Sequence, residues 1–248
     1  MEQFKLEVSA NFERSFVATR AAVESTLQEL DGFKNKYAAS YNRLVSLQAW
    51  RSELFCDVLS SDAEEFFREA HNDALMSHAL ARQGAWRVSL MSLRSLIENT
   101  VFGLYYCEHP VELQQWSTGD HKLGFSETIS YLLRHPKISH LDDSITGIDV
   151  LKSEYATLSK AVHGSARAFR MSRDGIVTGL NLNSPADLGA WSTREKSTIT
   201  GLNLLLLCFF ADHIKGAALP NLRKSVSLAI PVARHQAIKT ALKITLRN

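Results

Sequence analysis

Apolar residues recur every three to four positions along most of the chain, which is the spacing of amphipathic α-helices. The pattern predicts a first helix over about residues 10–30 and a second over about 33–59. Further helices are predicted over about 61–82, 86–106, 126–135, 147–163 and 185–215. Because only Asp31-Gly32 separates the first two helices, we expect them to fold back on each other as an antiparallel hairpin.

One segment, residues 169–183, departs from the helical spacing. Its apolar residues partly alternate with polar ones, and Asp174-Gly175 lies in the middle. An Asp-Gly pair between alternating runs is typical of a β-hairpin turn. The predicted fold class is therefore all-α: a helical bundle with an N-terminal helical hairpin and room for one short β-hairpin.

The chain divides most simply into three segments. We predict an N-terminal helical extension over residues 1–60, a helical bundle over 61–215, and basic C-terminal helices over 216–248. Gly216 and Pro220 mark the second boundary, because both residues interrupt helices.

Charge is unevenly distributed, although the 248 residues carry a net charge of only +2. Asp212 is the last acidic residue, and the chain that follows is basic. The basic charge of this segment predicts a surface that binds RNA phosphates or an acidic partner protein. A solvated face of ordinary helices explains the same residues equally well. The predicted binding residues are Arg223, Lys224, Arg234, Lys239, Lys243 and Arg247.

Familiar enzyme and membrane signatures are not found in the sequence. The three cysteines, Cys56, Cys107 and Cys208, are widely spaced, and we interpret them as reduced core thiols of a cytoplasmic protein. No phosphate-binding loop, zinc-binding helix or hydrolase elbow occurs, so we expect no cofactor and no metal. The most apolar run, residues 202–210, is too short to cross a bilayer and is interpreted as a buried helix, so we expect no membrane association.

The segment from about 90 to 104 contains a charge pair beside an apolar stripe. Arg94 and Glu98 are four residues apart and lie at the edge of that stripe when the segment is drawn as a helix. Burying charges costs several kcal/mol unless they are well paired, so a partly buried pair calls for a reason. Two interpretations remain open: an internal strut between helices, or a charged site between them.

A second candidate lies near the end of the predicted helix over 147–163. Ser159 and His163 are one turn apart on the flank of its apolar stripe. Because His163 lies near the helix C-terminus, the dipole favours its protonated form, and the ring is suited to general acid or base catalysis. A hydrogen bond from His163 to a neighbouring helix, for example at Glu98, is the structural alternative.

Together these two segments resemble the HEPN superfamily of helical domains, which are associated with nucleotides and RNA in bacterial defence and toxin–antitoxin systems. The matching text is SLRSLIEN at 92–99 and YATLSKAVHG at 155–164, and the resemblance covers about residues 61–215. It implies a helical bundle that pairs into a dimer and, in active members, a metal-independent ribonuclease.

The chain departs from the family pattern at the arginine that active members carry shortly before the histidine. Positions 156–158 read ATL and include no basic residue, so only His163 transfers directly and Arg94 becomes the candidate cation. We therefore predict a subunit of an antiviral-defence or toxin-type assembly. It would form a homodimer or join a partner protein, and bind protein and RNA. The alternative is a ribonuclease whose site comprises His163, Arg94, Glu98 and Ser159.

Overall fold

A computed structural model describes residues 1–169, 172–173, 176–177, 185–216 and 218–246. The described elements are almost all helical, which confirms the predicted all-α fold. The helices are α1 Glu2–Asp31, α2 Lys34–Trp50, α3 Cys56–Val58, α4 Ser61–Arg82, α5 Trp86–Tyr106, α6 Pro110–Thr118, α7 Phe125–Arg134, α8 Asp143–Thr146, α9 Ile148–His163, α10 Pro185–Phe209, α11 Ala211–Ile214, α12 Pro220–Ala229 and α13 His235–Leu242. A π-helical turn, Arg51–Phe55, joins α2 to α3, and 3₁₀ turns occur at Arg167–Phe169 and Val232–Arg234.

Two short strands occupy the segment with alternating apolar residues. Strand β1, Ser172–Arg173, pairs antiparallel with β2, Ile176–Val177. The register places Ser172 opposite Val177 and Arg173 opposite Ile176. The predicted β-hairpin is present in this form, while its predicted turn residues, Asp174-Gly175, lie outside the described residues.

Helix α10 lies at the centre of the bundle. Its apolar run 202–209 and the following Phe210 are buried, as the sequence predicted. Apolar side chains of α2, α4, α5, α9, α12 and α13 join it in one continuous core cluster. Because this cluster draws on all three predicted segments, α2 and α12 contribute to the same core as α5 and α9. The boundaries at 60 and 215 stay a prediction.

Helices α4 and α5 pack closely against each other. The contact depends on Gly103 of α5, where an added Cβ would lie 2.9 Å from the Phe67 ring of α4. A side chain at Gly103 would therefore push the two helices apart. This close packing positions the first half of α5, which carries Arg87 and Arg94.

Helix α1 extends away from the bundle. Its residues up to position 22 are exposed, and only Thr26 and Leu30 near its end are buried. Gly32, which has right-handed helical dihedrals, and Phe33 form the two-residue link to α2. The turn occurs where the sequence predicted it. The predicted antiparallel packing of the first two helices, however, does not extend along α1.

Candidate functional site

Helices α5 and α9 run antiparallel and carry the polar residues singled out in the sequence. Arg94 and Glu98 contact Tyr155 and Ser159, while Arg87, seven residues before Arg94, contacts the last turn of α9. Residues seven apart on a helix share a face, so the three charged residues of α5 all point towards α9. The result is a polar seam along one side of this helix pair.

Arg94 directs each of its three guanidinium nitrogens at a partner inside the protein. Its Nε donates to Ser159 Oγ at 3.2 Å, and its Nη1 donates to Glu98 Oε2 at 3.0 Å. Its Nη2 donates to the Tyr155 hydroxyl at 2.6 Å, and that hydroxyl donates in turn to Glu98 Oε1 at 2.8 Å. The guanidinium carbon also lies 4.8 Å from the centre of the Tyr155 ring. Arg94 is therefore held in one orientation by four contacts.

The Arg94–Glu98 pair is only partly shielded from solvent. The side chains are 24% and 23% exposed, respectively. Their contact with α9 agrees with the expectation of a partly buried pair. Phe125 of α7 stacks on Tyr155 with ring centres 3.6 Å apart, which fixes the tyrosine from its other face. Burial raises the pKa of the Tyr155 hydroxyl, and its hydrogen bond to Glu98 raises it further.

The polar seam continues to α4 through Asp73. Asn99 Nδ2 donates to Asp73 Oδ2 at 2.8 Å, one residue after Glu98. Burial raises the pKa of the Asp73 carboxyl, although hydrogen bonds from Ser95 and Asn99 oppose the shift. This carboxylate was not identified from the sequence, because nothing local indicates that α4 packs on this face of α5.

His163 is the last residue of α9, and its side chain is exposed. Gly164 follows in the left-handed conformation with φ of 58°, so it ends the helix as the sequence predicted. Among the described residues, no hydrogen bond or ion pair holds the His163 ring. The ring is thus free to meet a ligand or a partner, but nothing in the described structure orients it.

Arg87 of α5 reaches the end of α9 from the neighbouring helix, and the sequence pattern did not identify it. Its Nε donates to the Ala161 carbonyl at 2.9 Å, and its Nη2 donates to the Val162 carbonyl at 3.0 Å. These are the two residues just before His163, whereas Arg94 binds Ser159 one turn earlier. The seven-residue spacing of Arg87 and Arg94, which puts both on one helix face, is the sequence signal that could have identified Arg87. Of the four predicted site residues, Arg94, Glu98 and Ser159 come together, and His163 lies beyond them at the helix end.

The predicted basic binding residues differ in their burial and in their hydrogen-bond partners. Arg223 is buried and donates from Nη1 to the Gly216 carbonyl at 2.6 Å. Arg234 donates from Nη1 to the Ser144 carbonyl at 2.6 Å. Both arginines therefore bind backbone within the fold. Lys224, Lys239 and Lys243 are exposed, and Arg247 lies outside the described residues.

Lys243 lies at a cavity of about 330 Å³ between α11, α13 and the loop after α7. Lys137, Lys215 and His140 also line it, so basic groups dominate its walls. Asp212 compensates part of this charge, because its carboxylate pairs with Lys215 Nζ at 2.6 Å. Only one of the predicted basic residues, Lys243, belongs to this cavity.

The cysteines differ from the prediction that all three are core thiols. Cys208 is buried, Cys107 is half-buried, and Cys56 is exposed on α3. Burial raises the pKa of both the Cys107 and the Cys208 thiols to about 12. These two thiols are therefore protonated at neutral pH and unsuited to act as nucleophiles.

Within the described part of the chain, no three potential metal-ligating side chains cluster together. Across the same residues, no helix combines the length and apolarity that a membrane span requires. Comparison with family models, with characterised proteins and with solved structures finds no match to this chain.

Proposed function

We propose that this chain is a HEPN-like helical subunit of a bacterial defence or toxin-type assembly that acts by binding protein and RNA partners. We expect it to work as a homodimer or within a larger assembly. The observation that carries the proposal is the set of internal contacts made by Arg94. The residue that would have to stabilise phosphate charge during RNA cleavage is already bound to Glu98, Tyr155 and Ser159.

A catalytic arginine needs free donors aimed at the place where negative charge develops. Releasing Arg94 would break a charge-assisted hydrogen bond to Glu98 and leave that partly buried carboxylate without its cation. The arrangement of this arginine favours a strut that joins α5 to α9. In this role Arg94 holds the end of α9 in place as a contact surface. It is then not available to stabilise the phosphate during RNA cleavage.

Exposed cations support RNA binding in this proposal. Lys160 and Arg167 flank His163 and are exposed. In the basic C-terminal segment, Lys224, Lys239 and Lys243 are exposed as well. Exposed lysines bind RNA phosphates by releasing counterions, without reading sequence. We therefore expect weak, salt-dependent binding to single-stranded RNA.

A metal-independent ribonuclease is the second candidate, and one observation favours it. Arg87 places a guanidinium group beside the end of α9, where Nε and Nη2 bind the carbonyls of Ala161 and Val162, and no hydrogen-bond partner of its Nη1 is found among the described residues. If RNA reached this end, His163 would exchange the proton and Arg87, in place of Arg94, would stabilise the phosphate.

One experiment separates the two candidates. Labelled single-stranded RNA is incubated with the wild-type protein and with His163→Ala, and both cleavage and binding are measured. His213→Ala is the matched control, because His213 is also exposed. Thermal unfolding of each variant verifies that the fold is retained.

We expect no cleavage by the wild-type protein. We expect Lys239→Gln and Lys243→Gln each to lower the slope of log affinity against log salt by about 0.7, as for one lost contact with single-stranded RNA. Cleavage that is lost in a folded His163→Ala variant and kept in His213→Ala would replace the binding proposal with the ribonuclease. If the affinity for RNA changed neither with salt concentration nor with the lysine substitutions, binding of RNA phosphates by these lysines would be refuted.

A further inference from the structure

A cavity among the described residues lies where the end of α1, the first half of α2 and the end of α4 meet. Its volume is about 620 Å³, which is within the usual range for small-molecule sites. None of its lining residues belongs to α5 or α9. The side chains that carry the argument are Lys34, Tyr37, Tyr41, Asn42, His78 and Arg82.

Two tyrosines one helical turn apart give the cavity an aromatic wall. Tyr37 is 8% exposed, and its ring packs edge-on against His78 with ring centres 6.0 Å apart. Tyr41, by contrast, is 60% exposed. A large aromatic side chain left open beside a cavity offers a face on which a planar ligand can stack.

Two cations line the same cavity without a carboxylate of their own. Within the described residues, neither Lys34 nor Arg82 makes a salt bridge or a side-chain hydrogen bond, unlike most arginines of this chain. Asp31 is the one acidic residue in the wall. Lys34 also opens α2, where the helix dipole favours an anion. The local charge balance therefore favours a ligand with a negative group.

A series of buried hydrogen bonds ends at the cavity and determines which ring nitrogen of His78 carries the proton. Arg43 Nε donates to Glu195 Oε2 at 2.8 Å, and Ser40 Oγ donates to Glu195 Oε1 at 3.0 Å. Because the Ser40 proton is used on Glu195, Ser40 Oγ accepts from His78 Nδ1, 3.0 Å away. Nδ1 therefore carries the ring proton.

The neutral His78 ring consequently presents an acceptor at Nε2. Burial lowers the pKa of His78, and the charges of Arg82 and Arg43 lower it further, so the ring is neutral at pH 7. No partner of Nε2 is found among the described residues. An acceptor of this kind suits an amino or imino N–H at the edge of a heterocyclic base.

We propose that this cavity binds a nucleoside monophosphate. The base would stack on Tyr41 and donate a hydrogen bond to His78, while Arg82 and Lys34 would hold the phosphate. Asn42 and Asp31 would contact the remaining polar groups of the base and sugar. This ligand matches the aromatic wall, the two cations without a salt bridge and the half-buried acceptor on His78 together.

The test is isothermal titration calorimetry of the full chain with AMP, GMP, CMP and UMP. Adenosine and inorganic phosphate are titrated separately to divide the recognition between the two halves of the ligand. The variants are Arg82→Gln and Tyr41→Ala, with the exposed Arg134→Gln as the matched control. Because Tyr41 is mostly exposed, its substitution should leave the fold intact, which thermal unfolding verifies.

We expect at least one nucleotide to bind with one-to-one stoichiometry. Arg82→Gln and Tyr41→Ala should each weaken binding roughly tenfold, and Arg134→Gln should not. Adenosine and inorganic phosphate should each bind at least roughly tenfold more weakly than the nucleotide. The proposal is overturned if none of the four nucleotides binds at millimolar concentration. It is equally overturned if phosphate alone binds as well as the nucleotides, or if a folded Tyr41→Ala variant binds unchanged.

Discussion

The buried pair Arg43–Glu195 offers the sharpest test of how this bundle is held together. The side chains are 10% and 2% exposed, and the partners are 152 residues apart on α2 and α10. Glu195→Gln removes the negative charge while keeping nearly the same volume and an acceptor oxygen for Ser40. It leaves the Arg43 guanidinium buried without a counter-charge, since arginine does not lose its proton in proteins.

Removing one partner of a buried ion pair costs about 3–5 kcal/mol, because the remaining charge stays desolvated. We expect Glu195→Gln to lower the free energy of unfolding by about this amount. Burial raises the pKa of the Glu195 carboxyl, and Arg43 opposes that shift without cancelling it, so desolvation offsets much of the attraction between the two charges. The double variant Arg43→Met/Glu195→Leu should therefore recover at least half of the loss.

Urea unfolding followed by circular dichroism and tryptophan fluorescence measures the effect, since Trp50 and Trp191 are both buried. With a slope of about 3 kcal/mol per M, the midpoint should fall by about 1 to 1.7 M. The control is Glu24→Gln, because the Arg20–Glu24 pair is 81% and 59% exposed and should leave the midpoint nearly unchanged. If Glu195→Gln shifted the midpoint no more than this control does, the assignment of the pair as a buried strut would be wrong.

Three further changes follow from local geometry, each measured by urea unfolding. Arg94→Ala should cost about 2 kcal/mol, less than a fully buried pair, because its side chain is 24% exposed. The folded state disfavours protonated His78, so stability falls as the pH drops below about 6.5. His78→Asn should make this slope shallower by at most about 1.4 kcal/mol per pH unit; an unchanged slope would contradict the assignment. Gly147→Ala should cost more than Gly119→Ala. Both have positive φ, but only at Gly147 would an added Cβ meet backbone, 2.7 Å from the Gly201 carbonyl oxygen.

Local patterns along the chain were sufficient for the helical fold and for part of the site. The 3.6-residue period and the glycine after His163 predicted α9 and its end, because both depend on neighbours within a few residues. The same period placed Arg94 and Glu98 one turn apart at the edge of a buried face, where they do pair. The apolar run of α10 was long enough to identify it as buried without knowing its neighbours.

Tertiary structure decided what each of these surfaces meets. Arg87 reaches the end of α9 across 75 residues of sequence, and Glu195 meets Arg43 across 152. Arg223 looked like an exposed cation yet is buried against a backbone carbonyl. Helix spacing shows which residues share a face, but not which helix packs on that face. That choice depends on the summed packing of distant segments, and it determines which charges become struts and which are left open to a ligand.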